Sequence, residues 1–122
     1  IVAAMERAGV RRLICQSTLG AGESVANLNF WWRRVMFGLL LKPAFEDHQR
    51  QEAIVKASRL DWTIVRPAAF TDDEKTGAYR HGFPADGTQK LSLKIGRADV
   101  ADFLLRQVGS KDYLMRAPGL SY

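Results

Sequence analysis

Short apolar runs and longer stretches with helical spacing alternate along this chain. Arg11–Ser17 and Trp62–Arg66 are runs of strand length that are apolar at their centres. Such runs are typical of strands buried on both faces of a parallel sheet. Pro67 directly follows the second run and predicts its end, because proline lacks the N–H that a sheet needs.

Helices are predicted before and between these strands. Ile1–Ala8 is apolar on most faces and precedes Gly9, a residue favoured just past a helix C-terminus. We interpret it as a buried helix. Leu28–Leu41 is rich in aromatic residues and is predicted to be a helix that Pro43 ends. Phe45–Ser58 is predicted to be a second, more polar helix.

The C-terminal third predicts one more helix and several short strands. Gly96–Val108 has helical spacing, and Asp99 lies in its first turn, where the helix dipole favours a carboxylate. The residues on its apolar stripe are Val100, Phe103, Leu104 and Val108. Thr71–Gly77 is predicted to be an acidic surface loop. The short strand candidates are Ala78–His81, Leu91–Leu93, Tyr113–Arg116 and Leu120–Tyr122.

The order of these elements predicts an α/β fold with a parallel sheet. Two buried strands joined by a long helical connection cannot form a tight hairpin, so they pair in parallel. Ligands of such sheets bind beyond the carboxyl ends of the strands. Those ends are Ser17-Thr18 and Arg66–Ala69, where we expect the functional site.

Composition narrows the classes of partner. The 122 residues are 47% hydrophobic, which is enough for one hydrophobic core. The net charge is +5, and the Lys and Arg residues are scattered along the chain among acidic residues. That pattern does not favour a nucleic-acid partner. The longest apolar run, Val35–Leu41, is far shorter than the roughly 20 residues of a spanning helix, so no membrane partner is expected.

The single cysteine, Cys15, excludes an intrachain disulfide and favours a reducing, cytoplasmic location. We interpret Cys15 as a small buried hydrophobe, with a reactive thiol as the alternative.

A dinucleotide phosphate loop is not predicted in this chain. Gly20-Ala21-Gly22 follows a strand, but the third glycine of such a loop is replaced by Val25. We expect the phosphate loop upstream of Ile1. The chain, residues 1–122, is therefore interpreted as the C-terminal part of a single larger domain.

A metal site is not predicted either. His48 and Glu52 lie one helical turn apart and share a face, but nothing in the sequence completes their ligand set. His48 as an ordinary helical residue is an equal alternative to a functional role. His81 has no functional context. The Trp31-Trp32 helix is interpreted as part of the core or as a subunit contact, and the second of these leaves homo-oligomerisation open. The alternative is a flap over a flat apolar ligand.

With these residues assembled, the chain resembles the atypical short-chain dehydrogenase/reductases. It is most similar to their NAD(P)H-binding, NmrA-like and biliverdin/flavin reductase-like groups. The segments that carry the resemblance are Val10–Thr18, Glu52–Pro67, Thr76–Tyr79 and Ile95–Phe103. The resemblance implies a Rossmann-like, doubly wound parallel sheet, of which the chain is the C-terminal portion without the N-terminal βαβ units. It also implies an NAD(P) cofactor, with NADP the favoured form.

Residue roles carry over from this resemblance position by position. Ser17 matches the serine at the strand end beside the nicotinamide and the substrate. The usual Tyr and Lys positions fall on Ala44 and His48, so the tyrosine acid is absent and the lysine is replaced. The implied catalytic residues are Ser17 and His48. The implied cofactor-binding residues are Ser17, Thr18, His48, Pro67, Ala68, Ala69 and Phe70.

Two functions follow from the resemblance. The first is an NAD(P)H-dependent reductase of an apolar conjugated small molecule, such as a flavin, a quinone or a tetrapyrrole. In it, Ser17 orients the acceptor, and His48 contacts the ribose or relays a proton. The alternative is a non-catalytic NAD(P)-binding sensor of the NmrA-like type, which the loss of the tyrosine at Ala44 favours.

Overall fold

A computed structural model describes residues 1–19, 42–83 and 91–122. The predictions for Gly20–Gly22, Trp31-Trp32 and Leu28–Leu41 lie outside these residues. The helices are α1 (Val2–Ala8), α2 (Lys42–Ala57) and α3 (Arg97–Gly109). The strands are β1 (Arg12–Gln16), β2 (Asp61–Pro67), β3 (Ala69–Thr71), β4 (Arg80–His81), β5 (Lys94–Gly96) and β6 (Gly119–Ser121).

The main sheet has four strands in the order β1-β2-β6-β4. β1 pairs in parallel with β2, from Arg12 opposite Asp61 to Gln16 opposite Val65. β2 also pairs in parallel with β6, and the short β4 is antiparallel to β6. β3 and β5 form a second, two-stranded parallel sheet. The predicted parallel α/β sheet is confirmed.

Helices cover both faces of the main sheet. Side chains alternate between the two faces of a strand. On one face Leu13, Trp62 and Ile64 pack with Val55 of α2 and Val2 of α1. On the opposite face Ile14 and Val65 pack with Val100 and Phe103 of α3. This two-sided covering is the doubly wound arrangement. No helix within the described ranges is long and apolar enough to cross a membrane.

Several predicted boundaries and burials need correction. α1 contains no buried residue in the part of the chain that the structure describes. β1 is only half-buried, because β2 is the one strand paired with it among the described residues. α2 includes Pro43. The predicted helix that Pro43 was expected to end lies outside the described residues.

The C-terminal elements also shift from their predicted places. The strand expected at Leu91–Leu93 forms instead at Lys94–Gly96, because backbone pairing with β3 fixes its register. The strand expected at Tyr113–Arg116 is a turn with one isolated bridge to Thr63. On α3, Val108 is 63% exposed and Gln107 is buried in its place. The Gln107 carbonyl accepts a 2.7 Å hydrogen bond from Arg12, which draws that side of the helix onto the sheet.

Asp99, in the first turn of α3, is fully buried and ties the acidic loop to the helix. Its carboxylate accepts hydrogen bonds from the backbone N–H of Gly77 at 2.8 Å and from the Thr76 hydroxyl at 2.7 Å. The Tyr122 hydroxyl donates to it at 2.8 Å and accepts from the Gly96 N–H at 2.9 Å. Burial alone would raise the pKa of Asp99, but these donors outweigh it and lower the pKa. Asp99 thus acts through specific hydrogen bonds, beyond the predicted helix-dipole effect.

Asp99→Asn is expected to lower the free energy of unfolding by about 2–3 kcal/mol, since the amide nitrogen cannot accept the hydroxyl donors. Urea unfolding of the two proteins measures the difference. Glu74→Gln, an exposed acid of the same loop, is the matched control and should change stability by less than about 0.5 kcal/mol. Equal midpoints for the two variants would show that Asp99 does not hold the loop.

Candidate functional site

The carboxyl ends of β1 and β2 lie side by side. The Ser17 N–H donates to the Val65 carbonyl at 2.8 Å, and the Leu19 N–H donates to the Pro67 carbonyl at 2.8 Å. These bonds continue the parallel pairing past the end of β1. The two segments that the sequence identified as strand ends therefore form one edge, where ligands of such sheets bind.

Ser17 is buried at this edge, with 2% of its surface exposed. By strand alternation it lies on the same face as Leu13 and Cys15, the face covered by α2. Its Oγ has no hydrogen-bond partner of regular geometry among the described residues. A buried hydroxyl without a regular partner is costly in a folded protein, and such an atom is often satisfied by a ligand or water.

His48 lies on α2 and is half-buried. Its Nδ1 is buried and has no hydrogen-bond partner within residues 1–19, 42–83 and 91–122. Together with Thr18, Ala44 and Phe45 it lines an open pocket of about 200 Å³. The structure thus brings together His48, Thr18 and Ala44, and the resemblance implies a tyrosine acid at the position of Ala44. A side chain as small as Ala44 leaves that side of the pocket open.

A buried ion pair beside Ser17 was not predicted from the sequence. Arg66 Nε donates to Glu52 Oε1 at 2.9 Å, and Arg66 Nη2 donates to Glu52 Oε2 at 2.6 Å. The two side chains are 2% and 3% exposed. Lys56, one turn further along α2 and partly exposed, lies 3.3 Å from the same carboxylate. Glu52 therefore faces two cations.

The Glu52 carboxyl stays ionised because of these neighbours. Burial would raise its pKa, but the hydrogen bonds and charge of Arg66 outweigh burial and lower the pKa. The Ser17 hydroxyl also contributes to this lowering, although its contact falls short of a regular hydrogen bond. Ser17 is thus a neighbour of Glu52, and Glu52 in turn lies one helical turn from His48 on α2.

One signal in the sequence pointed to this pair. Arg66 stands in an otherwise apolar, buried strand, and a fully buried arginine needs an anionic partner. The identity of that partner depends on how α2 packs on the sheet, which the sequence pattern does not determine.

The loop after β2 divides into buried and exposed residues. Pro67 and Ala68 are buried, while Ala69 and Phe70 are exposed on β3. The guanidinium of Arg97 lies 5.4 Å from the Phe70 ring centre and covers part of the ring. The cofactor-binding role of these four residues remains a prediction.

The structure also shows the surroundings of Cys15 and His81, the two other residues considered in the sequence analysis. Cys15 is half-buried, and the Gln51 amide lies 2.7 Å from its sulfur. Burial raises the pKa of the Cys15 thiol, which favours the interpretation as a small packed side chain. His81, on β4, shares a 2.7 Å hydrogen bond with the Tyr113 hydroxyl and packs against Phe103. It belongs to an aromatic cluster and not to the pocket of His48.

Comparison with known proteins agrees with this geometry. Residues 1–111 match a family model described as NAD(P)H-binding. No curated protein matches the chain. Among solved structures, ChuY from Escherichia coli CFT073 is 26% identical with a TM-score of 0.80, covering 98% of this chain and 57% of its own. ChuY from Escherichia coli O157:H7, described as an anaerobilin reductase, is 25% identical with a TM-score of 0.78, covering 98% of this chain and 54% of its own.

A third solved structure extends the likeness of fold. The wide-type short-chain dehydrogenase/reductase from Veillonella parvula in complex with NADP is 22% identical with a TM-score of 0.81, covering 100% of this chain and 55% of its own. At this identity the likeness shows the Rossmann-like α/β fold alone. The chain spans little more than half the length of each of these three structures.

The ionised state of Glu52 leads to a prediction about the stability of the protein at low pH. Its folded pKa lies below the ordinary value of 4.5, so its contribution to stability is present above about pH 4.5 and is lost as the pH falls through the folded pKa. Glu52→Gln should cost about 3 kcal/mol of unfolding free energy at pH 7. The gap between the variant and the natural protein should shrink as the pH falls below about 4.5 and through the folded pKa.

Urea unfolding at a series of pH values measures this gap. Glu46→Gln, which alters an exposed carboxyl 3.9 Å from Lys42 on the same helix, is the control and should give a small, flat difference. A Glu52→Gln gap that stays constant with pH would mean that folding does not lower the pKa of Glu52.

Proposed function

Because the chain belongs to the NAD(P)H-binding family, we propose that it carries the acceptor side of an NAD(P)H-dependent reductase. The acceptor is an apolar conjugated molecule, with a tetrapyrrole, a flavin and a quinone as the classes to test. The solved neighbour described as an anaerobilin reductase, 25% identical, supports the tetrapyrrole class. The enzyme acts in the cytoplasm, which the single cysteine of the chain favours.

One observation carries the proposal: two buried polar atoms without regular partners lie at the carboxyl edge of the parallel sheet. They are Ser17 Oγ and His48 Nδ1, on neighbouring elements, among the residues that the structure describes. Atoms of this kind are rare in folded proteins and are often satisfied by a ligand or water. Their place at the edge where α/β proteins bind cofactors supports a ligand here.

The residues at this edge fit a nicotinamide cofactor. Thr18 and His48 line the open pocket and offer polar groups to a ribose, and the exposed Ala69 and Phe70 offer an apolar surface to a flat ring. NADPH, the favoured form, supplies a hydride when it is bound. The protein's part is to hold the acceptor against the ring and to exclude water.

Proton delivery is the step in which this site departs from ordinary carbonyl reductases. Ala44 replaces the tyrosine acid, and His48 is the ionisable side chain that lines the pocket beside it. His48 is proposed to relay a proton from solvent to the reduced acceptor, and the Ser17 hydroxyl to orient the acceptor by a hydrogen bond. A histidine can serve because its two ring nitrogens exchange donor and acceptor roles.

Steady-state oxidation of NADPH by the full-length protein, with a bilin, a flavin and a quinone as acceptors, tests the proposal. Ser17→Ala should lower kcat/KM by roughly 10–100-fold, the size of one lost hydrogen bond to a reacting group. His48→Gln should lower kcat by about 100-fold. NADH measured alongside NADPH tests the cofactor preference.

His81→Gln is the matched control, because it changes the other histidine of the chain outside the pocket. It should keep the activity of the natural protein. Absence of turnover with every acceptor would refute the reductase, and full activity of Ser17→Ala would remove Ser17 from the mechanism.

A non-catalytic sensor is the second candidate, because Ala44 lines the pocket where a catalytic acid would stand. A sensor needs to distinguish the oxidised from the reduced cofactor and has no use for a proton donor. Isothermal titration calorimetry with NADP⁺ and NADPH separates the two functions. Affinities that differ by about tenfold or more without turnover would favour the sensor, and similar affinities with turnover would favour the reductase.

A further inference from the structure

The buried Glu52–Arg66 pair joins the helix that carries His48 to the strand that leads into the site. Arg66 is the second-last residue of β2, and Glu52 lies in the middle of α2. Two parallel hydrogen bonds, of 2.9 and 2.6 Å, connect the guanidinium to the carboxylate. A bidentate contact of this kind fixes the distance between its two groups and also their relative orientation.

Stability alone is a poor explanation for this pair. Removing both charges from water costs nearly as much as their attraction returns, and apolar residues of similar volume often serve as well. The apolar cluster of Val55, Trp62 and Ile64 already packs α2 against β2. What the ion pair adds to that cluster is a defined position of the helix along the strand, since apolar contacts allow small sliding motions and a bidentate contact does not.

The two residues of the proposed mechanism lie on either side of the pair. His48 precedes Glu52 by one helical turn, so both lie on the same face of α2. Ser17 lies on the same face of the sheet as Arg66, and its N–H bonds to Val65, the neighbour of Arg66 on β2. The Ser17 hydroxyl also lies near enough to Glu52 to influence the carboxylate.

We propose that Glu52 and Arg66 are positioning residues that fix the place of His48 relative to Ser17 at the carboxyl edge of the sheet. This inference deepens the proposed function and depends on it for its catalytic consequence. The pair touches neither cofactor nor acceptor in this proposal. It acts by holding α2, and a displacement of about 1 Å at a reacting group lowers rates by roughly 100-fold.

The first test measures the position of His48 without any turnover. The ring signals of His48 in a ¹H–¹³C spectrum are assigned with His48→Gln, and those of His81 with His81→Gln. Glu52→Asp keeps the charge but withdraws the carboxylate by one methylene group. It should shift the His48 signals and leave those of His81, on β4, unchanged.

Glu46→Asp is the matched control, because it makes the same change on the same helix at an exposed carboxyl. It should leave both histidine signals in place. Arg66→Lys is the reciprocal variant, since it keeps the positive charge but cannot form the bidentate contact, and should shift the same His48 signals.

The second test is a comparison of kcat with KM in the full-length protein. Glu52→Asp and Arg66→Lys should lower kcat by roughly 10–100-fold while KM for NADPH changes by less than about threefold. A general loss of structure would move both constants and the melting curve together. Glu52→Gln, which removes the charge, should be the more damaging variant. If it does not fold, the charge-conserving variants still decide the question.

The outcomes separate this inference from the proposed function. Shifted His48 signals without turnover in any protein would retain the positioning role and refute the reductase. Normal turnover and unshifted His48 signals in both Glu52→Asp and Arg66→Lys would overturn the positioning role and leave the reductase standing. Shifted signals together with the selective loss of kcat are the expected result.

Discussion

The parallel pairing of β1 with β2 is the constraint on which the rest of the structure depends. It brings together two segments almost fifty residues apart in sequence, with Arg12 opposite Asp61 and Gln16 opposite Val65. Because side chains alternate across a sheet, this register assigns Ser17 and Arg66 to the face of α2 and Ile14 and Val65 to the face of α3. A slip of β1 by one residue against β2 would turn Ser17 away from α2 and from Glu52. The chemistry of the edge is therefore a consequence of strand register.

The fold was largely predictable from the sequence, because the strands of its central pair are short apolar runs and its helices have clear spacing. The hydrophobic pattern predicted the wrong residues where tertiary contacts override the local preference for helix or strand. Leu91–Leu93 is more apolar than Lys94–Gly96, yet pairing with β3 places the strand at the later segment. Val108 fits the apolar stripe of α3, yet it is 63% exposed, and Gln107, whose backbone carbonyl accepts a hydrogen bond from Arg12, is buried instead.

The candidate site divides in the same way. Ser17 and His48 were predicted as site residues because a strand end and a family resemblance pointed to their positions. The Glu52–Arg66 pair was not predicted. A charged residue in a buried strand indicates that it needs a partner of opposite charge, but it does not identify that partner. Fourteen positions separate Glu52 from Arg66 in sequence, and only the packing of α2 on β2 makes them neighbours. The pairing of charges is thus a property of the assembled layers, and local patterns carry little information about it.

The hydrogen bonds that meet at the Asp99 carboxylate have a consequence for Tyr122. The hydroxyl of Tyr122 bridges the Gly96 N–H and the Asp99 carboxylate, and the same carboxylate holds Thr76 and Gly77. A Cβ on Gly96 would approach that hydroxyl to 2.8 Å, so the tyrosine and the glycine fit each other closely. Replacing Tyr122 by a residue without the hydroxyl would therefore loosen a loop that lies more than forty residues away in the sequence.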